Sequence, residues 1–599
     1  MLTTSERHQK TDTAQNCRNS TTYEGETLVK LKHFVSAAIL LVVLQSHSWA
    51  QTPCVTEAGK PVFDVTNANI ASHLNWSADT VWRLVEQVFV IPGQTLTIEP
   101  GTVIKGQSGT PARSLIITRG AKIDADGTPQ CPIVFTMEAD NVDIPDDVVP
   151  PTLRGQWGSL LILGNAPICF NGGSQNKIEG IDTLLFPTQS LYGGPDIHDS
   201  SGVLRYVSLR HGGAIIGAAN EINGLTLGGV GDKTVVEHIE VFANLDDGYE
   251  WFGGTVNCKY LISAFNDDDN IDYDEGYQGA IQYFFAVQDS TNGDSGGELN
   301  GTNNGTAGWA GSNACYSQAD VANATFIGRG LGSNAQGPAV NKRVMEGGKV
   351  LNSVITEFRS RALQIDTLGN TAFNTYRNTC GGRVDLLCNF WWNFNGNGGV
   401  YTNDPSLSVY QTVAPALPGA NCGDLKAYFF DPKEKNNVNT NPGLNGVSRT
   451  PNGLLDPRAT TNLNVSLDSV QTWCDLDPAT INPYLQKTNF IGAFDPNQPL
   501  WTEGWTHLWQ RGYTPASTAS LAVPVAVCSC CDLAGDADND ASVTIGDAVY
   551  TIAYIFTGGP APICNAEGDA DGDASVTIGD VVYLIAYIFN GGPTPLCGA

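Results

Sequence analysis

The chain has 599 residues, with 61 acidic and 32 basic side chains and a formal net charge of −29. This excess disfavours nucleic acids and anionic membrane surfaces as partners, because both are bound by clustered Lys and Arg. Gly and Pro supply 66 and 31 residues while only 16% of residues are charged, which disfavours a helical bundle. The composition therefore predicts a mainly β protein with many turns.

Residues 28–50 have the pattern of a secretory signal peptide. Two lysines precede the apolar stretch 34–44, which is too short to span a bilayer, and small residues precede Gln51. We predict cleavage before Gln51, and we interpret residues 1–27 as an upstream start-site artefact or a long n-region. The mature chain is expected to be secreted or at the surface of a bacterial cell, without a membrane span.

Export determines the redox environment of the cysteines. Of the 15 Cys residues only Cys17 precedes the predicted cleavage point, which leaves 14, an even number. Because an even cysteine count in an oxidising compartment is typical of disulfide pairing, the sequence predicts disulfides without indicating their connectivity.

Residues 51–514 consist of short β-branched and aromatic runs separated by Gly, Asn and Asp. Leu96, Leu115 and Val134 follow one another at 19-residue steps, and later segments align over a 22-residue offset. Repeats of about 20 residues built from short strands predict a solenoid, in which each coil buries its inner face against its neighbours. The alternative, a sandwich of hairpins, would show frequent two-residue turns between long alternating strands.

Several strings in this region resemble a known fold family. IPGQTLTIEPGTVIKG and GTPQCPIVFTM are similar to the first rungs of secreted bacterial right-handed parallel β-helix proteins. DDGYEWFGGTVNCKYLISAFNDDDNIDYDEGYQGAIQYFF and NFIGAFDPNQPLWTEGWTHL resemble a particular group of these proteins, over most of residues 80–510. The resemblance implies a right-handed parallel β-helix for residues 51–514 and no established activity.

After a linker at 515–531, residues 532–599 contain a duplication in register at 33 residues. This segment has ten carboxylates and no Lys or Arg, so it would not collapse readily unless a cation neutralised it. Aspartates at positions 1, 3, 5 and 12 of each copy predict EF-hand-type calcium loops, with a carbonyl at position 7 and a Thr at position 9. The predicted ligands are Asp536, Asp538, Asp540, Ser542, Thr544, Asp547, Asp569, Asp571, Asp573, Ser575, Thr577 and Asp580.

Apolar residues at positions i, i+3, i+4 and i+7 predict a helix after each loop. They are Val549, Ile552, Ala553 and Phe556 in the first copy, and Val582, Ile585, Ala586 and Phe589 in the second. The paired loop–helix unit resembles a type I dockerin, which implies calcium-dependent docking onto a cohesin-like or other surface or scaffold protein. Positions 10 and 11, which commonly carry partner-contacting polar residues in that family, are here Ile545–Gly546 and Ile578–Gly579.

The body has its own acidic cluster. If the 22-residue register holds, Asp246 lies next to Asp268 and Asp247 next to Asp269, about 4.8 Å apart on neighbouring coils. Like charges at that distance repel, so the carboxylates are protonated, splay into water, or surround a cation. The predicted second cation group is Asp246, Asp247, Asp267, Asp268 and Asp269, and solvated acidic turns are the alternative.

A catalytic role for this cluster is a weaker hypothesis. Asp268 and Asp269 would act on a polysaccharide with Arg210 and His211 as basic partners, although those two residues also suit a simple turn. Nearby aromatics, Trp251, Phe252, Tyr273 and Tyr277, would stack on sugar rings or fill the coil interior. The GDSGG string at 293–297 matches serine proteases, but without the required His context we interpret it as a polar loop.

The sequence therefore predicts an exported calcium-binding protein with a β-helix body and a C-terminal dockerin-like module. The body would bind a glycan or a protein in a surface or adhesion role. The alternative is a polysaccharide lyase or glycoside hydrolase with a carboxylate-lined groove. Carboxylates and a Lys or Arg that converge in one groove would favour the enzyme.

Overall fold

The computed structural model describes residues 55–144, 149–170, 174–215, 222–301, 317–330, 337–343, 346–365, 384–395, 401–402, 409–411, 429, 441–459, 476–516, 533–538, 542–557, 562, 565–572, 576–590 and 592–596. The predicted leader at 28–50 and the segment 1–27 lie outside these residues. So do residues 517–531 of the predicted linker and three predicted calcium ligands, Asp540, Asp573 and Ser575.

Two parallel sheets form the body. Sheet one contains β1 Val62–Val65, β2 Asn75–Trp76, β3 Val81–Leu84, β5 Thr95–Ile98, β6 Val103–Gly106, β8 Lys122–Asp126, β9 Ile133–Met137, β13 Gly202–Arg210, β15 Val235–Phe242, β17 Cys258–Ala264, β19 Ala280–Val287, β21 Asp320–Ile327, β23 Lys349–Leu351, β24 Val354–Thr356, β26 Asp385–Leu387 and β27 Phe390–Trp392. Sheet two contains β4 Val88–Val90, β7 Leu115–Ile117, β10 Leu160–Leu163, β14 Leu225–Gly228, β16 Tyr249–Phe252, β18 Ile271–Asp274, β20 Gly297–Asn300, β22 Val340–Arg343, β25 Leu363–Ile365 and β30 Val409–Gln411. Two short antiparallel pairs, β11 Asn176–Lys177 with β12 Leu191–Tyr192 and β28 Phe394–Asn395 with β29 Tyr401–Thr402, complete the strands.

The chain alternates between the two sheets, and each strand pairs in parallel with the strand one coil earlier. Thus β13, β15, β17 and β19 are successive neighbours in sheet one, while β14, β16 and β18 are successive neighbours in sheet two. Such a path is a parallel β-helix, so the mainly β parallel solenoid is confirmed and the hairpin sandwich is wrong. The arrangement is consistent with a right-handed helix.

The 22-residue offset predicted for the middle of the body is confirmed. Val236 in β15 pairs with Cys258 in β17, and Tyr249 in β16 pairs with Ile271 in β18. Both sheets therefore advance by the same number of residues in this coil, and the turns between them must stack in register.

The 19-residue offset near the start is wrong. Leu96 pairs with Ile123 and Val134 pairs with Val103 in sheet one, whereas Leu115 lies in sheet two. A 19-residue step therefore passes from one face of a coil to another. The mistake arises because strands of both sheets are equally apolar, so periodicity alone does not assign them to a face.

The large aromatic side chains near the acidic cluster are buried. Trp251, Tyr273 and Tyr277 are buried in the main core, and Phe252 packs in a second apolar cluster outside sheet two. Burial of all four side chains contradicts stacking on sugar rings, and the coil-filling alternative is confirmed for Trp251, Tyr273 and Tyr277.

Four neighbouring strands of sheet one carry a stack of aromatic rings outside the core. Tyr206, His238, Tyr260 and Tyr283 each adopt a left-handed backbone with φ between 49° and 60°. Successive ring centroids lie 4.3, 4.3 and 4.6 Å apart. The same bend in each strand places the rings one above another. The distances between ring centroids are therefore close to the spacing between neighbouring strands of a sheet.

We expect His238→Tyr to protect the protein against acid. Burial, with a smaller effect from Arg205, lowers the pKa of His238 to about 4. The unfolded chain takes up this proton below about pH 6.5, so stability is lost as pH falls from there towards the folded pKa. Tyrosine suits the same bend in Tyr206 and Tyr260, so we expect little change at neutral pH. In thermal melts near pH 4.5 we expect a higher Tm, by roughly 1 °C per kcal/mol regained, because the entropy of unfolding grows with chain length.

The matched control for this experiment is Tyr260→His, which adds a second half-buried imidazole to the stack. It should make the acid limb of the Tm profile steeper. Identical acid limbs for wild type, His238→Tyr and Tyr260→His would contradict the assignment.

The segment 476–516 packs along the outer face of sheet one. The Glu240 carboxylate accepts hydrogen bonds from the backbone N–H groups of His507 at 2.7 Å and Leu508 at 3.0 Å, at the start of helix α1 (His507–Gln510). The ring of Trp505 packs edge-on against the ring of Tyr206, with their centroids 5.5 Å apart. A buried carboxylate and an aromatic contact thus hold this segment on the body.

The remaining helices are α2 (Ile545–Thr557), α3 (Asn565–Gly568) and α4 (Ile578–Asn590), with 3-10 turns at Ile70–Ser72 and Pro478–Thr480. The helices predicted after the two C-terminal loops are therefore confirmed. Among the described residues no helix has the length and hydropathy needed to cross a bilayer.

The described cysteines fall into two groups. Cys258 is a buried free thiol, whereas Cys131, Cys169 and Cys388 are in disulfides. Because Cys258 is free, the 14 cysteines are not all paired with one another. The wider pattern of disulfides stays a prediction.

Candidate metal centres

The acidic cluster of the body lies in the turn that leads from sheet one to sheet two. Because β15 and β17 are in exact 22-residue register, the turn after β15 stacks on the turn after β17. The Asn244 N–H donates to Asn266 Oδ1 at 2.8 Å, and the Asp269 N–H donates to Asp247 Oδ1 at 2.9 Å. These bonds fix the two acidic turns one above the other.

Seven carboxylates form one continuous row, which we call the carboxylate row. It consists of three overlapping groups, Asp246–Asp247–Asp268, Asp247–Glu250–Asp272 and Asp268–Asp269–Asp294. Within each group one oxygen of each residue lies within 4.8 Å of the others. Hard cations such as calcium take six to eight oxygen ligands, and carboxylates at this spacing are suitable donors.

Three carboxylates of the row lie in surroundings that disfavour their charged form. Burial, reinforced by neighbouring carboxylates, raises the pKa values of Asp247 and Asp269 well above the usual range. The same causes raise the pKa of Asp272, and its Oδ1 atom is buried without a hydrogen-bond partner among the described residues. Carboxylates in such a site must hold protons or a cation.

Two further acidic residues, Asp274 and Glu275, lie next to the row, and Glu275 contacts side chains outside it. The Tyr192 O–H donates to Glu275 at 2.7 Å, and Asn176 Nδ2 donates to its other oxygen at 2.8 Å. Burial raises the pKa of Glu275 to about 7 and that of Asp274 to about 6. Glu275 is therefore a structural carboxyl group rather than a member of the row.

Asp267, which the sequence assigned to the cation group, lies outside the row. Its carboxylate faces Arg154 at 3.6 Å and accepts a hydrogen bond from Asn292 Nδ2. Asp267 precedes Asp268 in the turn, so its side chain leaves the backbone in a different direction. An arginine compensates its charge.

Asp294 belongs to the row, although the sequence placed it in the polar GDSGG loop. Ile271 pairs with Gly297, so this coil advances by 26 residues and Asp294 takes the place of Asp268. Its carboxylate accepts from the Gly337 N–H at 2.6 Å. Three successive coils thus carry Asp at one corner, Asp246, Asp268 and Asp294. Only a second offset of 26 residues would have revealed this.

Arg210 and His211, the predicted basic partners, lie at the end of β13, in the coil before the first acidic turn, and both side chains are buried. Arg210 Nη2 donates to Gln510 Oε1 at 3.0 Å, and His211 Nδ1 lies 2.7 Å from the Leu153 carbonyl oxygen. The structure therefore brings Asp268 and Asp269 together but places Arg210 and His211 beneath the segment 476–516.

A different arginine lies in sheet two, two strands from Asp272. Arg343, at the end of β22, forms an ion pair with Glu298 in the neighbouring strand. Its charge acts to lower the pKa values of Asp272 and Asp274, against the larger effect of burial. Carboxylates and an arginine therefore converge on the outer side of sheet two.

The two C-terminal loops bring their aspartates together in the same way. The groups are Asp536–Asp538–Asp547 and Asp569–Asp571–Asp580, with one oxygen of each residue within 4.8 Å of the others. Asp547 Oδ2 accepts from the Thr544 N–H and Asp580 Oδ2 from the Thr577 N–H, both at 2.7 Å. The duplicated sequence therefore forms duplicated carboxylate groups.

The loop hydroxyl groups begin the helices. The Thr544 Oγ1 accepts from the Gly546 N–H and the Thr577 Oγ1 from the Gly579 N–H, each at 3.0 Å. These are N-cap contacts, which satisfy backbone donors in the first turn. Ser542 is exposed in its loop. The two threonines are thus placed by the helices as well as by the loops.

The family that matches this chain is one of β-helix domains. Residues 68–380, more than half of the chain, match the pectate-lyase-like β-helix domain family. Among solved structures, the crystal structure of pectate lyase Pel9A is similar, with a TM-score of 0.28 and 13% identity over 72% of this chain and 91% of that chain. A comparison with curated proteins finds no match. The chain belongs to the pectate-lyase-like β-helix domain family.

Proposed function

We propose that the protein is an exported calcium-binding protein whose β-helix body binds an acidic polysaccharide at the carboxylate row. The observation that carries this proposal is the repeated Asp at one corner of three coils, Asp246, Asp268 and Asp294. Calcium held there would keep open coordination positions, which carboxylates of a sugar chain would fill. The family's pectate-lyase-like fold supports a polysaccharide over a protein as the ligand.

The C-terminal module would attach this body to a cohesin-like or other surface or scaffold protein. Two loops with matching aspartates and matching hydrogen bonds support one calcium ion in each. Calcium would neutralise the loops and allow α2 and α4 to pack together. Attachment would therefore depend on calcium.

We expect the Asp247→Asn/Asp269→Asn variant to lose calcium-dependent binding of polygalacturonate. Both residues contribute to the row, and a lower ligand charge weakens calcium binding. Isothermal titration of the full chain with polygalacturonate should show affinity at least about tenfold lower, or ~1.4 kcal/mol. A chelator should abolish wild-type binding, and a neutral polysaccharide should not bind.

The matched control is Asp477→Asn, which removes one carboxylate while retaining the N-cap contact to the Ala479 N–H. It should bind as the wild type does. Calcium-independent binding, or equal loss in the control, would contradict the assignment of the row.

A lyase is the second candidate, because Arg343 forms an ion pair with Glu298, the residue that pairs with Asp272 in the neighbouring strand. An arginine next to a cation site would orient a uronate and assist proton removal from it. A screen of acidic polysaccharides for unsaturated products, with and without calcium, tests this. Turnover that Asp268→Ala abolishes would establish the enzyme, whereas binding without turnover would leave the non-catalytic role.

A further inference from the structure

The segment 476–516 has two glycines in left-handed conformations near its end. Gly504 and Gly512 have φ values of 91° and 70°, one on each side of helix α1. A Cβ atom at either position would have no contact closer than 3.7 Å. Space therefore does not require glycine there, whereas the direction of the backbone does. We call residues 505–511, between these two glycines, the latch.

The part of the segment before the latch is held by side chains that do not titrate. The Gln486 N–H donates to Gln282 Oε1 at 2.9 Å, and Gln282 Nε2 donates to the Gln486 carbonyl oxygen at 2.7 Å. The Ala493 N–H donates to Thr325 Oγ1 at 2.9 Å. Because amide and hydroxyl groups keep the same charge in acid, the attachment of residues 486–493 is expected to be independent of pH.

The latch lies on a buried cluster of charged and titratable groups. The His507 ring packs against the rings of Phe242 and His211, with centroids 4.6 and 6.1 Å apart. Neither ring nitrogen of His507 has a hydrogen-bond partner among the described residues, and Nε2 of His211 has none either. A proton added to these nitrogens would therefore be buried without an acceptor, which disfavours the charged form of both rings.

The surrounding charges act in the same direction. Burial lowers the pKa of His507 well below its usual range, and Arg210 and Arg511 lower it further. Burial also lowers the pKa of His211, against a smaller opposing effect of Asp140. An open latch returns His507 to water and uncovers His211, so both rings titrate near their usual value of about 6.5. Opening therefore takes up protons, and acid favours the open state.

Other titratable groups also face the latch. Burial raises the pKa of Glu240, whose carboxyl group binds the start of α1, so the closed latch retains a proton there that the open latch releases. His238 lies edge-on to Trp505, with centroids 6.2 Å apart, and its lowered pKa of about 4 favours opening in acid. Burial raises the pKa values of Tyr206 and Tyr513, so both stay neutral. Three imidazoles thus oppose one carboxyl group.

We propose that residues 505–511 form a proton-operated latch, which swings open about Gly504 and Gly512 in mild acid while residues 486–493 stay attached. Opening uncovers the aromatic surface around Phe242. It also adds up to about 25 Å of free chain between the body and the C-terminal module, at about 3.5 Å per released residue. This effect does not depend on which partner the module binds.

Hydrogen–deuterium exchange of the full chain, measured by mass spectrometry at about pH 7.5 and about pH 5, tests the proposal. Protection of a peptide that covers 505–511, corrected for the intrinsic exchange rate at each pH, reports the opening of the latch. It should fall at least about tenfold in acid, because opening takes up at least about one proton net. Residues 486–493 should keep their protection.

The variant His507→Phe separates protonation from packing. The new ring can pack against Phe242 without losing a side-chain hydrogen bond, and the backbone N–H at this position still reaches Glu240. Protection of the latch near pH 7.5 should match the wild type, while the loss in acid should shrink about tenfold. His507→Gln is a second uncharged variant. His198→Asn, which removes an exposed histidine elsewhere on the body, is the matched control and should behave like the wild type.

Three results would overturn the proposal. The first is equal protection of the latch at both pH values. The second is an equal loss of protection in residues 486–493, because the whole segment would then detach. The third is an undiminished acid loss in both His507→Phe and His507→Gln.

Discussion

Removal of calcium from the full chain is expected to unfold the C-terminal module while the β-helix stays folded. In each loop, three aspartates bring oxygens within 4.8 Å of one another, with no Lys or Arg anywhere in residues 532–599. Calcium at about one hundred times its Kd adds about 2.7 kcal/mol to the folded state, which a module with so small a core needs. Chelation should therefore remove the helical circular dichroism of α2 and α4, while the β signal persists.

Variants of the loops provide the control. Asp536→Asn/Asp569→Asn weakens one ligand position in each copy, so it should require more calcium to regain the helical signal. Asp477→Asn, outside the module, should titrate like the wild type. Helices that persist in chelator, with no calcium uptake measured by calorimetry, would contradict both calcium loops.

Lys342→Met is expected to destabilise the β-helix by about 3–5 kcal/mol, because it leaves an uncompensated buried carboxylate. Lys342 Nζ lies 3.0 Å from Glu346 Oε2, and both side chains are fully buried. The Tyr273 O–H donates to the other oxygen of Glu346 at 2.6 Å. Lys342 pairs in register with Leu299, a core residue, so its side chain points into the coil.

The double variant Lys342→Met/Glu346→Gln separates charge from shape. It removes both charges while the amide oxygen can still accept from Tyr273, so most of the lost stability should return. Denaturant unfolding followed by tryptophan fluorescence measures all three proteins. A single variant as stable as the wild type would show that Glu346 is neutral in the folded protein.

The sequence was sufficient for the fold and for part of the site. The coil between β15 and β17 is 22 residues long and places asparagines and aspartates at equivalent positions. The stacking of the two turns could therefore be predicted from the sequence. The membership of Asp294 in the row could not be predicted, because the next coil is 26 residues long instead of 22. Asp267 does not join the row, because its carboxylate faces Arg154 and Asn292 instead. These errors concern geometry rather than composition.

Two other features lie beyond pattern analysis. Lys342 and Glu346 are charged residues inside the core, and no periodicity predicts an ion pair there. The helical spacing of Val549, Ile552 and Phe556 normally marks a buried face, yet here the small module buries Ala548 instead. Periodicity identifies an apolar face of a helix but not whether the rest of the chain covers it.

The contact between Arg210 and Gln510 joins residues 300 positions apart. When β13 has been synthesised, half of the protein must still be made before the segment 476–516 can cover the outer aromatic surface of sheet one. Until then Phe242, Phe265 and Phe285 have no Trp505 or Leu508 to pack against. The nascent chain thus exposes an apolar face while more than a third of its length is synthesised, and a chaperone that binds apolar surface would find its site there.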